Sequence, residues 1–227
     1  KVSKKKQDYF TLVSEFMLQQ TQVKTVIPYF EKFIKEFPNL KLLAKSSDHK
    51  ILKNWEGLGY YSRARNLKKT AKFIIKNFQG KLPNNFQDLT SLPGIGNYTA
   101  SAILAIAFNK QYIPLDGNIE RVLKRYLYLK KNNEIHKDYL IQKKSIFGLS
   151  SRSNDYAQAL MELGALVCKP FNPLCRQYPI SSRCKSFKKK DFKLKKITKK
   201  NIDKYFLLKV FKKNKRYLLI KNTQFKF

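Results

Sequence analysis

Acidic residues are scarce in this chain of 227 residues: 15 Asp plus Glu face 48 Lys plus Arg, leaving a net charge of +33 and a pI near 10.1. That imbalance makes a polyanion the natural partner. An AT-rich genome would enrich Lys, Asn, Ile, Phe and Tyr together but would keep Glu common, so the shortage of acids still speaks about partners. Long apolar runs are missing too. No segment has the roughly 18 consecutive apolar residues of a spanning helix, and no charged-then-apolar secretory leader is visible, so nucleic acid is expected ahead of a membrane. Cysteine is limited to three residues, all between 168 and 184. An odd count excludes a closed disulfide framework, and a reducing cytoplasm with a metal-type cluster is the expectation. Lys1 rather than Met opens the chain, which reads as a trimmed N-terminus. With 43% apolar and 14% aromatic residues there is ample material for a core, in one domain or two.

Two of the eight glycines stand two apart in Leu92-Pro93-Gly94-Ile95-Gly96, just ahead of an apolar run. Gly94 and Gly96 are both expected to reach φ > 0 and to let backbone approach another molecule without a Cβ in the way. A helix from about Asn97 to Ala107 follows. Turn amides beside a helix N-terminus suit a phosphate, here that of DNA, although a lone pair of glycines also fits an ordinary turn between helices.

Upstream, Glu15 lies among Phe10, Leu12, Val13, Phe16, Met17 and Leu18. Burial there would disfavour its ionised form and make it a proton donor near neutral pH. The competing reading is a glutamate on the solvent face of a helix. Val23, Val26, Ile27, Phe30, Phe33, Ile34 and Phe37 recur at spacings of three and four and predict one packed stripe, with a turn or kink at Pro28. Trp55 to Arg65 comes next, with Gly57 and Gly59 marking a tight turn that displays Tyr60 and Tyr61 before a helix over Asn66–Phe78. A flipped-out base leaves a gap that Leu58 or Tyr60 could fill, with Arg63 and Arg65 on phosphates. Core packing of the rings is the alternative.

Asp116 precedes a helix over Ile119–Leu127 and fits both an N-cap and a carboxylate held ionised near a helix start. Ser153–Val167 predicts a helix with Tyr156, Leu160, Leu163 and Val167 on one side; it carries Gln158, whose amide suits a base edge or an ordinary surface. It leads directly into Cys168, Cys175 and Cys184. Lys185 to Lys200 holds nine lysines and one acid, a flexible linker that would seek DNA. After it, YFLLKVF and RYLLIK read as strands of a hairpin around Lys212-Lys213-Asn214-Lys215.

SLPGIGNYTA with Asp116 downstream, SEFMLQQTQV and GLGYYSRARN together resemble the adenine DNA glycosylase (MutY) family of the helix-hairpin-helix DNA glycosylases, from about Tyr9 to the chain end. The resemblance implies an all-α, two-lobed helix-hairpin-helix core over residues 1–184, including the cysteine loop 168–184. A basic linker over 185–202 and a short β stub over 203–227, the truncated start of a Nudix-like domain, would follow. It implies a monomeric bacterial cytoplasmic enzyme that flips and hydrolytically removes adenine mispaired with 8-oxoguanine or guanine in double-stranded DNA. Carried over by residue, Glu15 matches the acid that protonates adenine and Asp116 the carboxylate that meets the oxocarbenium-like sugar. Gln20 and Thr21 match contacts near the opposing lesion, Tyr60 the intercalating wedge, and Gln158 a hydrogen bond to the adenine edge. With the C-terminal module truncated, discrimination between 8-oxoguanine and guanine is expected to be weak.

Tyr98 occupies the catalytic position at which the related endonuclease III family carries a Schiff-base lysine, and Lys110 is a dozen residues further on, so base removal without strand scission is expected. Cys168, Cys175 and Cys184, with position 178, match the spacing of the superfamily's [4Fe-4S] loop, but position 178 is Tyr. A cluster completed by another ligand, a three-iron form and a metal-free loop packed by aromatics all remain open. A second departure is the absence of the Leu-Pro-Trp-Arg-like stretch expected about a dozen residues before Glu15. The rival readings are an endonuclease III-like glycosylase/lyase for oxidised pyrimidines and a non-catalytic DNA-binding protein.

Overall fold

The computed structural model describes residues 7–129, 151–178 and 180–192, with the backbone of 212–213 and 216–217. The chain divides into a unit over Lys1–Lys193 and a second over Leu194–Phe227. Among its described residues the first unit is helical.

Helix α1 (Gln7–Leu18) is apolar on most sides and buries Tyr9, Leu12, Val13, Phe16 and Met17. It packs against α2 (Val23–Glu36), α5 (Ser62–Asn77) and α7 (Asn97–Ile106). Because α1 is enclosed by three neighbours, Glu15 cannot face solvent, and it is only 5% exposed. The expected packing stripe of α2 holds only in part. Val26, Phe33 and Phe37 are buried, whereas Val23 and Ile27 are 61% and 49% exposed, since burial concentrates toward the C-terminal half of the helix. Pro28 neither ends nor interrupts it. Its ring fixes a helix-compatible φ, and the missing N–H forfeits a single bond within a 14-residue helix.

Short helices α3 (Leu40–Lys45) and α4 (Asp48–Trp55) are capped by Asn39 and Ser47, which accept from the amides of Leu42 and Lys50. They pack on α5, which begins earlier than the expected Asn66 and buries Arg63, Ala64, Leu67, Thr70, Ala71 and Ile74 at spacings of three and four. Helix α6 (Phe86–Ser91), capped by Asn85, leads through the glycine turn into α7. Phe16, Phe33, Trp55, Leu67 and Ile103 lie in the large core shared by α1–α7.

A second core gathers Ile119, Val122 and Leu123 of α8 (Gly117–Leu127) with Leu160 of α9 (Ser153–Glu162). These two apolar clusters are the two lobes. Rather than continuing as α-helix to Val167, α9 passes into a π-helical turn over Leu163–Val167, closed by the Cys168 amide on the Leu163 carbonyl at 2.7 Å. The widened turn lets Gly164 come against α8, where a Cβ would lie 2.7 Å from Asn118 Cβ.

Residues read as the start of an open linker fold back instead. Lys185–Lys188 forms α10 against α8, Ser186 is buried, and the Phe192 carbonyl accepts from Arg125 at 3.2 Å. In the second unit Lys212↔Tyr217 and Lys213↔Arg216 pair antiparallel. Lys212 and Lys213, expected in the turn, are therefore in the strand; the remainder of YFLLKVF and RYLLIK lies outside the described residues.

Candidate active site and DNA-facing surface

Glu15 reaches the site from α1. With its carboxyl surrounded by the apolar core, desolvation pushes its pKa up to about 7, so the protonated acid is populated near neutral pH. Asp116 approaches from the other lobe, ahead of α8. Its Oδ1 accepts from the Ile119 amide at 2.7 Å and its Oδ2 from Asn118 Nδ2 at 3.1 Å, so both oxygens are oriented. Asn118 is held in turn by Arg121, whose Nη2 donates to Asn118 Oδ1 at 2.8 Å and to the Gly164 carbonyl at 2.6 Å. Tyr98, on the first turn of α7, stands in the field of both carboxylates. Although 37% exposed, it has its phenol raised by partial desolvation and further by the charges of Glu15 and Asp116, so it remains a neutral O–H donor. The fold thus brings together, from α1, α7 and the start of α8, the three residues expected to be catalytic.

Among the described residues, position 98 brings a phenol rather than an amine to this group. Lys110 Nζ donates to the Asn84 carbonyl. The chemistry available is proton donation by a buried acid and stabilisation of positive charge by an oriented carboxylate.

The two glycines of the turn differ from expectation and from each other. Gly94 has φ +79°, and a Cβ there would lie 2.8 Å from Asn66 Cβ and 3.0 Å from Phe16 Cε1, so glycine is required by both conformation and space. Gly96 is extended, with φ −95°, and a Cβ would meet nothing within 4 Å. Its value lies on the outside. As the N-cap of α7 it offers no side chain to the first-turn amides, leaving them open to an anion. Ile95, between the exposed glycines, and Leu92, ahead of them, are buried, and Thr70 Oγ1 donates to the Pro93 carbonyl at 2.6 Å, fixing the turn on α5.

Around this turn the surface candidates separate by exposure. Tyr60 is 61% exposed and Gln20 is exposed, each on left-handed backbone at φ 47° and 58°. Arg65 is exposed and Thr21 half-buried. Leu58 is corrected: its side chain is 5% exposed and packs in the core, so it is not displayed to a partner. Arg63 is corrected too, from a phosphate contact to a buried cation that bonds backbone carbonyls. Gln158 lies on the exposed side of α9 and donates to Asn154.

The cysteine loop is organised by an arginine the sequence reading did not single out. Arg125 is 3% exposed, donates to the carbonyls of Lys169 and Pro170 at 2.6 and 2.9 Å, and places Nη1 3.5 Å from Cys168 Sγ. A spacing of four between Arg121 and Arg125 on the helix leading from Asp116 was the available signal. Tyr178 is buried beside the three cysteines, and burial, with their charges, pushes its phenol up. Among the described residues no three His, Cys, Asp or Glu gather so as to hold a metal. A cubane held by four thiolates does not fit this donor set.

Residues 13–144 match the HhH-GPD superfamily of base excision DNA repair proteins. The chain is similar to adenine DNA glycosylases of two Buchnera aphidicola subspecies. That of Baizongia pistaciae is 49% identical, covering 81% of this chain and 52% of the relative; that of Schizaphis graminum is 40% identical, covering 95% and 64%. The chain therefore spans between half and two thirds of the length of these curated relatives. Among solved structures it resembles a thermostable thymine-DNA glycosylase, with TM-score 0.71 and 28% identity over 81% of this chain and 86% of the other. Among the described residues no helix is long and apolar enough to cross a membrane. With the turn between α6 and α7 and the start of α8 both inside the matched residues 13–144, the chain belongs to the HhH-GPD superfamily of base excision DNA repair proteins.

Proposed function

We propose that this chain is the catalytic core of a monofunctional adenine DNA glycosylase acting on double-stranded DNA. The observation that supports the reading is a buried acid with a pKa of about 7 and a carboxylate whose two oxygens are both oriented, each acting electrostatically on Tyr98. Adenine flipped from the stack receives a proton from Glu15, the C1′–N9 bond breaks, and adenine leaves neutral. Asp116 stabilises the positive sugar until water adds at C1′, and the proton that water releases restores Glu15. The turn at Gly94–Gly96 and the first amides of α7 hold a phosphate, Arg65 holds another, and Tyr60, flanked by Gln20 and Thr21, enters the stack. Gln158 is assigned to the adenine edge. A tyrosine in place of an amine at position 98, and Lys110 engaged on the Asn84 carbonyl, support base removal without strand cutting.

Single-turnover assays on end-labelled duplexes carrying adenine opposite 8-oxoguanine, guanine or thymine, and on one carrying an oxidised pyrimidine, test this reading. Strand breaks are expected only after alkali, only at mispaired adenine, and at similar rates opposite 8-oxoguanine and guanine. Breaks without alkali at an oxidised pyrimidine would establish the glycosylase/lyase reading instead, and tight binding without product on any duplex would establish a non-catalytic DNA binder.

Against that family's expected cluster, three cysteines with Tyr178 at the fourth position and Arg125 among them support a metal-free packing of the loop. Protein purified anaerobically should lack the broad visible absorption of an iron–sulfur cluster. Its cooperative unfolding should be unchanged by a chelator, since an unfolded chain restored by metal is what a structural site produces. A full cluster's complement of iron per chain would overturn this.

A further inference from the structure

Arg63 joins two surface turns through one buried guanidinium. Its Nη1 donates to the carbonyls of Met17 and Gln19, both at 2.6 Å, and to Thr21 Oγ1 at 3.0 Å, all at the C-terminal end of the helix that carries Glu15. From the same group Nη2 donates to the Gly59 carbonyl at 3.1 Å, and the guanidinium carbon lies 5.4 Å from the Tyr60 ring and 5.6 Å from the Trp55 ring. Trp55 Nε1 donates to the same Gly59 carbonyl at 3.1 Å. The peptide that presents Tyr60 is thus held from two sides.

A buried cation without a carboxylate on it would be costly, but the carbonyls at a helix C-terminus lack intrahelical donors and carry the negative end of the helix dipole. Five N–H groups in a planar fork can serve several such carbonyls at once, which a lysine cannot. Both joined turns contain a non-glycine residue on left-handed backbone, Gln20 at φ 58° and Tyr60 at φ 47°. Such conformations persist only where the surroundings over-determine them.

We propose that Arg63 is a positioning residue that pins the turn presenting Tyr60 to the end of α1, so that the wedge and Glu15 keep a fixed spacing. Its consequence for catalysis rests on the glycosylase reading above; its geometry does not. The first measurement therefore needs no activity. Tyr60 and Tyr61 are exposed sites for chymotrypsin, and cleavage of a locally opening turn follows the population of its open form. Arg63→Met should be cut after these tyrosines about tenfold faster than the parent, Arg63→Lys to an intermediate degree, both with cooperative thermal unfolding retained. Unchanged cleavage in folded Arg63→Met would overturn the proposal, and if that variant fails to fold, unchanged cleavage in Arg63→Lys does so. In single-turnover excision, a residue acting through the wedge should be non-additive with it: Tyr60→Ala combined with Arg63→Met should be no slower than the slower single variant. Fully multiplicative losses would also overturn it. A parent without excision on any duplex sinks the glycosylase reading and leaves the cleavage rates to decide the role of Arg63.

Discussion

Glu15→Gln should lose adenine release by about 10²–10⁴-fold, the usual contribution of a positioned general acid, while its affinity for the duplex stays that of the parent. Glutamine preserves the shape of the side chain and cannot give up a proton. Only Glu15 with its proton is competent, so excision by the parent should fall as pH rises through about 7. Stability should move with it. The buried acid binds its proton more tightly folded than unfolded, so the folded state holds more protons between the ordinary carboxyl range and pH 7. Stability is full at acid pH and is lost as pH rises toward the folded value, by roughly 1.4 kcal/mol for each unit by which the pKa is raised. An amide at this position does not ionise and carries no such cost. Glu15→Gln should therefore melt above the parent at pH 8.5 and near it at pH 4.5. Differential scanning calorimetry at the two pH values measures this, and a variant less stable than the parent at pH 8.5 would show that the carboxyl is not buried in the apolar site.

Asp116→Asn should also remove excision, by about 10²-fold or more, because it deletes the charge directed at the developing sugar cation. Asn caps a helix about as well as Asp, so the bond from the Ile119 amide survives and the melting temperature should change little. Separating cap from charge is the use of this substitution. A large drop in melting temperature with proportional loss of activity would show that the chain of bonds from Asp116 through Asn118 to Arg121 and Gly164 matters mainly for holding the second lobe together. Retained excision would remove Asp116 from the chemistry altogether.

Local sequence was sufficient where one residue's chemistry settles its own backbone. Asp116 caps α8, and Gly94 occupies a left-handed turn that a side chain could not enter. The spacing of apolar residues placed α2, α8 and α9, while the short helices α3, α4 and α6 carried no such signal, and the motif strings made Glu15, Tyr98 and Asp116 candidates for one site. Burial direction was not legible in the same way. Arg63 and Arg65 are two apart on one helix and identical in kind, yet Arg63 turns into the carbonyls at the end of α1 and Arg65 turns to solvent. Two residues along an α-helix lie on different faces, and which face is covered depends on what packs there. Val23 and Ile27 continue the apolar period of α2 but find no neighbour to cover them, and Arg125 is buried in a loop more than forty residues away in sequence. What the sequence by itself determined was that Asp116 caps, that Gly94 turns and which residues are candidates for chemistry, because those properties are local. What only the tertiary structure decided was which cations are structural, because a guanidinium faces a phosphate or a set of backbone carbonyls according to where distant helices end.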